Sequence, residues 1–343
     1  MIKLKMKIFQ RLLIVILIGI LLIGVVWLAK KIQVSQHPSG EPYQVVPNWP
    51  RLPEGVRIGQ VSGIGIHSNG DVIVFHRADR VWGGEDFGLD FISSPTIFVL
   101  DDETGELIDS WGEDIFVIPH GLTIDNDDNL WLTDVGLHQV LKFDSSGNLL
   151  MTLGERGVAG NDNDHFNQPT DVAIAQDGSF YVSDGYGNSR ISKFSPSGEF
   201  IASWGTFGND PAQFDTPHSI ALDPAGNVYV ADRGNARLQI FDSNGNFIGE
   251  WKSSALGRPW AVRVNASGNI FIVDGGDQSQ FWPDRARILK VDPAGNILAS
   301  FGSYGSAPGQ FIWPHAIALG NDGALYVGEV AMGMRIQKFK PAK

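Results

Sequence analysis

Short apolar runs bounded by glycine, asparagine, aspartate or proline recur along most of this chain. The fullest unit reads Pro217-His218-Ser219-Ile220-Ala221-Leu222, turns at Pro224-Ala225-Gly226-Asn227, and alternates through Val228–Ala231. A loop, Asp232-Arg233-Gly234-Asn235, leads into Arg237–Phe241, then a second turn, Ser243-Asn244-Gly245-Asn246, and finally Phe247–Trp251. Runs of this length and composition, joined by Gly-Asn turns, predict a four-stranded antiparallel meander. The same ending returns at Leu150–Gly154, Ile201–Gly205 and Leu298–Gly302.

Five relatives of the opening segment stand beside it: Val61-Ser62-Gly63-Ile64, Pro119-His120-Gly121-Leu122, Pro169-Thr170-Asp171-Val172, Pro259-Trp260-Ala261-Val262 and Pro314-His315-Ala316-Ile317. Successive copies begin 58, 50, 48, 42 and 55 residues apart. Six units at that period, with short strands and no long helical pattern, predict an all-β, six-bladed propeller rather than a helical solenoid. The last unit stops after its third strand, Arg335–Phe339, so the segment 42–57 is expected to supply the missing outer strand and close the ring.

The second position of each copy reads Ser62, His120, Thr170, His218, Trp260, His315. The first strand of a blade lines the channel, and strands of a meander alternate direction. The second position and the loop after the second strand therefore share one mouth of the channel. Alternate blades of a six-membered ring lie a third of a turn apart, so His120, His218 and His315 are expected to converge on the axis. Three neutral imidazoles with an open fourth position describe a catalytic zinc site. His37, His67, His138 and His165 follow no such pattern and read as surface residues.

Loop residues Arg77, Asp134, Tyr186, Arg233 and Asp274 are expected around the same mouth. Arginine can clamp a carboxylate with a two-pronged bond, and a phenol beside a metal can act as a general base. Asp134, Asp184, Asp232 and Asp274 recur at the end of the second strand and read as turn-bonding residues, with His76 and Glu329 in the equivalent places.

The first third of a hundred residues differs from all this. Leu12–Ala29 is an uninterrupted apolar or glycine run, about 27 Å long as a helix, which suits a single transmembrane span. Lys3, Lys5, Lys7 and Arg11 precede it, so residues 1–11 read as a cytoplasmic basic tail, 12–29 as an anchor and 30–57 as a linker. The propeller, 58–343, is then expected outside the cytoplasm, with a cleaved signal peptide as the rival reading. Without the six basic residues before residue 32, 20 Lys and Arg face 38 Asp and Glu, a balance of −18. That charge excludes nucleic acid as a natural partner. The chain has no cysteine, which excludes disulfides and thiolate chemistry.

Several local motifs together resemble the peptidyl-α-hydroxyglycine α-amidating lyase family, whose fold is a six-bladed propeller related to NHL repeats. They are Val74-Phe75-His76-Arg77-Ala78-Asp79-Arg80-Val81-Trp82, Pro119-His120-Gly121-Leu122, Thr133-Asp134-Val135-Gly136-Leu137-His138, Gln168-Pro169-Thr170-Asp171, Ser183-Asp184-Gly185-Tyr186-Gly187-Asn188 and Gln213-Phe214-Asp215-Thr216-Pro217-His218. The likeness runs over about residues 58 to 340. It implies zinc on His120, His218 and His315, with Arg77, Tyr186 and Arg233 acting on the substrate. The implied reaction splits a peptidyl-α-hydroxyglycine into a peptide amide and glyoxylate. It also implies a structural calcium on the backbone carbonyls of Ile64 and Leu122 and an aspartate after the third histidine. Ala316 stands at that last position, and a hard dication favours carboxylate oxygen. Trp313 and Gly187 replace a methionine and a cysteine of the family pattern. Two other readings remain at this stage: a propeller that binds a peptide, glycan or protein without catalysis, and a metal-dependent hydrolase of the propeller lactonase type.

Overall fold

Every predicted meander forms, and the six sheets stand around one axis in this computed structural model, which describes residues 31–32, 42–82, 88–277 and 285–342. The inner strands are Val61–Ile66, Pro119–Ile124, Pro169–Ile174, Pro217–Leu222, Pro259–Val264 and Pro314–Leu319. Each packs against the next, and the last packs against the first, so the ring is closed. The sixth sheet takes its outer strand from the N-terminal side: Tyr43–Val45 runs antiparallel to Arg335–Pro341, with Val45 opposite Phe339. Lys31–Ile32, within the stretch read as linker, runs parallel to the outer strand Phe247–Trp251 of the fourth blade. The expected transmembrane segment, residues 12–29, lies outside the described residues. Among the described residues no helix is long and apolar enough to cross a membrane.

Burial explains the sequence pattern. All six second strands, such as Val228–Asp232 and Ile270–Asp274, are buried at every position because neighbouring blades cover both faces. Outer strands such as Leu149–Leu153 alternate between exposed and half-buried. The core is therefore divided into wedges between adjacent blades. One wedge joins Phe75 and Ile97 of the first blade to Leu122, Leu132 and Phe143 of the second, and another joins Leu238 and Trp251 of the fourth to Val262 and Leu289 of the fifth.

A fault in the ladder aims the functional side chains. In each blade the first residue of the inner strand pairs with the last of the second strand, Pro217 with Asp232 for example, and the register then slips. The same slip follows Val61, Pro119, Pro169, Pro259 and Pro314. The second position is the extra residue of a β-bulge, which frees it from pairing and re-aims its side chain.

The acids closing the second strands are bound up in loop architecture. Asp134 accepts from the backbone N–H of Val117, Ile118 and Leu137, and Asp232 from Asp215 N–H, Asn235, Gln239 and the Arg237 guanidinium. In the first blade His76 does this work: its Nδ1 accepts from Gly59 N–H at 3.3 Å and Ala78 N–H at 3.0 Å. Burial pushes its imidazole down to about 3. His76 is thus neutral in the folded chain and takes up a proton only on unfolding, so its contribution is present above about pH 6.5 and is lost as pH falls towards 3. His76→Asn keeps an acceptor but no titration. Between pH 7 and pH 5 the wild type should lose about 2 kcal/mol relative to this variant in denaturant unfolding. Parallel pH profiles would show that His76 gains its proton in the folded state.

Candidate metal centre and active-site mouth

His120, His218 and His315 meet on the axis. Their ring centroids are 4.8 Å apart for all three pairs, and their potential ligand atoms lie within 4.8 Å of one another. All three are buried. Burial, and after it the neighbouring cationic groups, hold the three imidazoles well below their ordinary range. Among the described residues this is the one histidine and carboxylate cluster able to share an ion. His67, His138 and His165 are half-buried rather than fully on the surface, and they do not join it. His37 lies outside the described residues.

The odd-numbered blades orient the even ones. His120 Nδ1 lies 2.6 Å from Thr170 O, His218 Nδ1 2.6 Å from Trp260 O, and His315 Nδ1 3.0 Å from Ser62 O. A carbonyl oxygen only accepts, so each Nδ1 carries the proton and each Nε2 keeps its lone pair for the axis. Tyr186 Oη sits 3.2 Å from His120 Nε2 and 2.8 Å from His218 Nε2. One hydroxyl proton can serve only one of these two acceptors. This donor set, buried lone pairs converging without enough protons between them, suits a metal ion, and three imidazoles suit zinc.

Above the histidines a pocket of about 210 Å³ opens to the mouth, lined by Gln60, Arg77, Trp82, Tyr186, Arg233, Trp260, Trp313 and His315. Arg77 is buried; its Nε donates to Pro119 O at 3.0 Å and its Nη1 to Gln60 Oε1 at 2.6 Å. Burial pushes it down to about 10, opposed by Tyr186 and Asp134, so it remains a cation at neutral pH. Arg233 Nη1 donates to Tyr186 Oη at 3.2 Å, with the guanidinium 4.7 Å from the Trp260 ring centroid and 5.1 Å from that of Tyr186. Trp82 packs against Tyr186 from the first blade, at 4.9 Å between centroids. Gly185 lets the tyrosine loop approach the fourth blade, since a Cβ there would lie 2.0 Å from Pro217 O.

Of the six residues expected at the site, Arg77, Tyr186, Arg233 and His315 line this pocket, and His120 and His218 meet Tyr186 Oη beneath it. Asp134, which the strand directions place at the same mouth, turns its carboxylate into the loop backbone instead. The expected calcium fares differently. Ile64 and Leu122 lie on adjacent inner strands, but Ala316 offers no charge and Leu122 O accepts from the Arg263 guanidinium at 3.2 Å. A carbonyl already facing a guanidinium is a poor ligand for a dication, and the residues present do not fit calcium. Gln60, which fixes Arg77, and the three orienting carbonyls were not anticipated from sequence. The carbonyls belong to the second positions of the odd copies, but a backbone atom leaves no signature in residue type.

NHL repeats match residues 116–143, 166–194 and 214–241. Peptidyl-glycine alpha-amidating monooxygenase B of Xenopus laevis is 39% identical over 318 residues, which cover 86% of this chain and 35% of that protein, so the chain spans about a third of its length. Peptidyl-alpha-hydroxyglycine alpha-amidating lyase 2 of Drosophila melanogaster is 34% identical over 306 residues, covering 83% of this chain and 72% of the fly protein. Among solved structures, a streptogramin B lyase superposes with a TM-score of 0.57 at 13% identity over 84% of this chain and 95% of its own, a likeness of fold alone. With most of its length aligned to a dedicated lyase and alternate blades supplying the three histidines, the chain belongs to the peptidyl-alpha-hydroxyglycine alpha-amidating lyase family of enzymes.

Proposed function

We propose that this protein is a zinc-dependent lyase that cleaves the C–N bond of peptidyl-α-hydroxyglycine carbinolamides, giving a peptide amide and glyoxylate. The observation that carries the reading is the contact of Tyr186 Oη with two of the three axial histidines and with Arg233 at the floor of the pocket. His120, His218 and His315 would hold the zinc, which when bound supplies Lewis acidity that makes a substrate hydroxyl easier to deprotonate.

The remaining chemistry falls to the chain's own groups. Tyr186 acts as the phenolate, its own proton having left before the substrate reacts, and its Oη takes the proton of the α-hydroxyl. The carbonyl of glyoxylate forms as the C–N bond breaks, and the electron pair of that bond stays on nitrogen. The proton held by Tyr186 then passes to that nitrogen and completes the amide. Arg77 has Nε and Nη1 committed to Pro119 and Gln60, and no bond to Nη2 among the described residues, so a rigid donor edge is left for the substrate carboxylate. Arg233 stabilises negative charge on the phenol oxygen it already contacts. Trp82, Trp260 and Trp313 wall the pocket and limit water at the reacting bond.

The deciding experiment is metal analysis of the full chain purified without chelator, with glyoxylate release from an N-acyl-α-hydroxyglycine such as α-hydroxyhippurate measured on the same sample. Near-stoichiometric zinc with glyoxylate is expected. Zinc without glyoxylate would keep the metal centre and discard the lyase; neither would leave a binding propeller. We place the reaction outside the cytoplasm, on the basic residues before the apolar run 12–29. Protease digestion of the propeller only after the cytoplasmic membrane is breached would reverse that placement.

A further inference from the structure

Directly beneath the histidines the channel narrows to a small cavity walled in part by Leu122, Asp171, Ser219, Arg263 and Ala316. Arg263 crosses it. Its Nη1 lies 2.8 Å from Asp171 Oδ2, 3.2 Å from Ser219 Oγ and 2.9 Å from Val262 O, and its Nη2 lies 3.4 Å from Asp171 Oδ1 and 3.2 Å from Leu122 O. Asp171 also accepts from Ser219 Oγ–H at 2.7 Å and from Ile220 N–H at 3.2 Å. One guanidinium thus ties together inner strands of the second, third, fourth and fifth blades. The partners sit beside the metal centre in sequence: Asp171 follows Thr170, whose carbonyl orients His120, and Ser219 follows His218.

We infer that Arg263, paired with Asp171, is a cation built into the chain that holds the channel strands, and through them the histidine ring, at the place where the family resemblance implies a calcium ion. The position after the third histidine is Ala316 and carries no charge; the acid at this level of the channel is Asp171 of the third blade, and the positive charge that faces it is Arg263 of the fifth. A guanidinium reaches several oxygens in one plane at once, which lets a single side chain bridge a carboxylate, a hydroxyl and a carbonyl. A calcium ion on Leu122 O would have to share that oxygen with a guanidinium nitrogen 3.2 Å away, a like-charge contact disfavoured in a partly buried channel. Arg263 is therefore a positioning residue, acting on the metal centre through Asp171 and Ser219. The inference stands whether or not the lyase reading holds.

The test uses the full chain, stripped of metal on a chelating resin and reloaded with one equivalent of zinc. The wild type should retain less than about 0.1 calcium per chain after equilibration in 1 mM calcium chloride and washing, and its Tm should move by less than about 1 °C in that salt. Arg263→Met should lower Tm by about 5–15 °C, as expected for stranding a buried partner, and weaken zinc binding by roughly 10–100-fold. Arg263→Lys keeps a cation and should recover much of the zinc affinity, which a purely space-filling role would not predict. About one calcium per wild-type chain would overturn the inference, as would an Arg263→Met protein with unchanged Tm and zinc affinity. If Arg263→Met fails to fold, the calcium content and Tm of the wild type still decide.

Discussion

Replacing His218 by alanine is expected to remove zinc from the protein while leaving the propeller standing. Zinc content should fall from near one per chain to below about 0.1 after dialysis, and glyoxylate release by more than the roughly 10–100-fold that loss of an orienting group typically costs. The structural contribution of this side chain is small by comparison. Its Nδ1–H bonds Trp260 O, and losing that bond leaves a buried carbonyl unsatisfied at a cost of about 1–3 kcal/mol. The wedges between the third and fourth and between the fourth and fifth blades draw on other residues, such as Phe214, Phe241, Trp251 and Leu289. Far-UV circular dichroism and a cooperative thermal transition lowered by several degrees should therefore persist. A variant that unfolds globally would recast His218 as a structural residue, and one that keeps its zinc would remove it from the ligand set.

The architecture was legible because it repeats. Six copies of the inner-strand segment, five of them opening on proline, and the Gly-Asn turns between strands state blade number, strand direction and inner-strand identity, and the axial meeting of His120, His218 and His315 follows from parity. The positions of Arg77, Tyr186 and Arg233 at one mouth follow from the same alternation. What composition and spacing could not give was the bulge after the first inner-strand residue, which frees the second position from the ladder. Nor could they pair each histidine with a carbonyl from the following blade, since every residue carries a carbonyl. The Asp171–Arg263 pair was hidden for a different reason: its members are 92 residues apart and occupy different positions within their repeats, so no internal comparison aligns them. His76 shows the converse case, where a residue that breaks the aspartate pattern still performs the aspartate's task through a lone pair on nitrogen.

Tyr186→Phe should separate proton transfer from metal binding and substrate binding. The substitution keeps the ring, its packing on Trp82 and the face it offers to Arg233, and removes only the oxygen that contacts His120, His218 and Arg233. Since the ligand nitrogens come from histidines alone, zinc content should match the wild type. Because the carboxylate is assigned to Arg77 and the walls to tryptophans, KM should change by less than about threefold. The whole loss should appear in kcat, on the order of 10²–10⁴-fold for a missing general base. A raised KM with kcat intact would make Tyr186 part of the pocket wall and move proton abstraction elsewhere. Arg233 offers the check on that interpretation: with no phenol oxygen left to stabilise, Arg233→Met should cost far less in the Tyr186→Phe background than in the wild type, the non-additivity expected of groups that act as one unit.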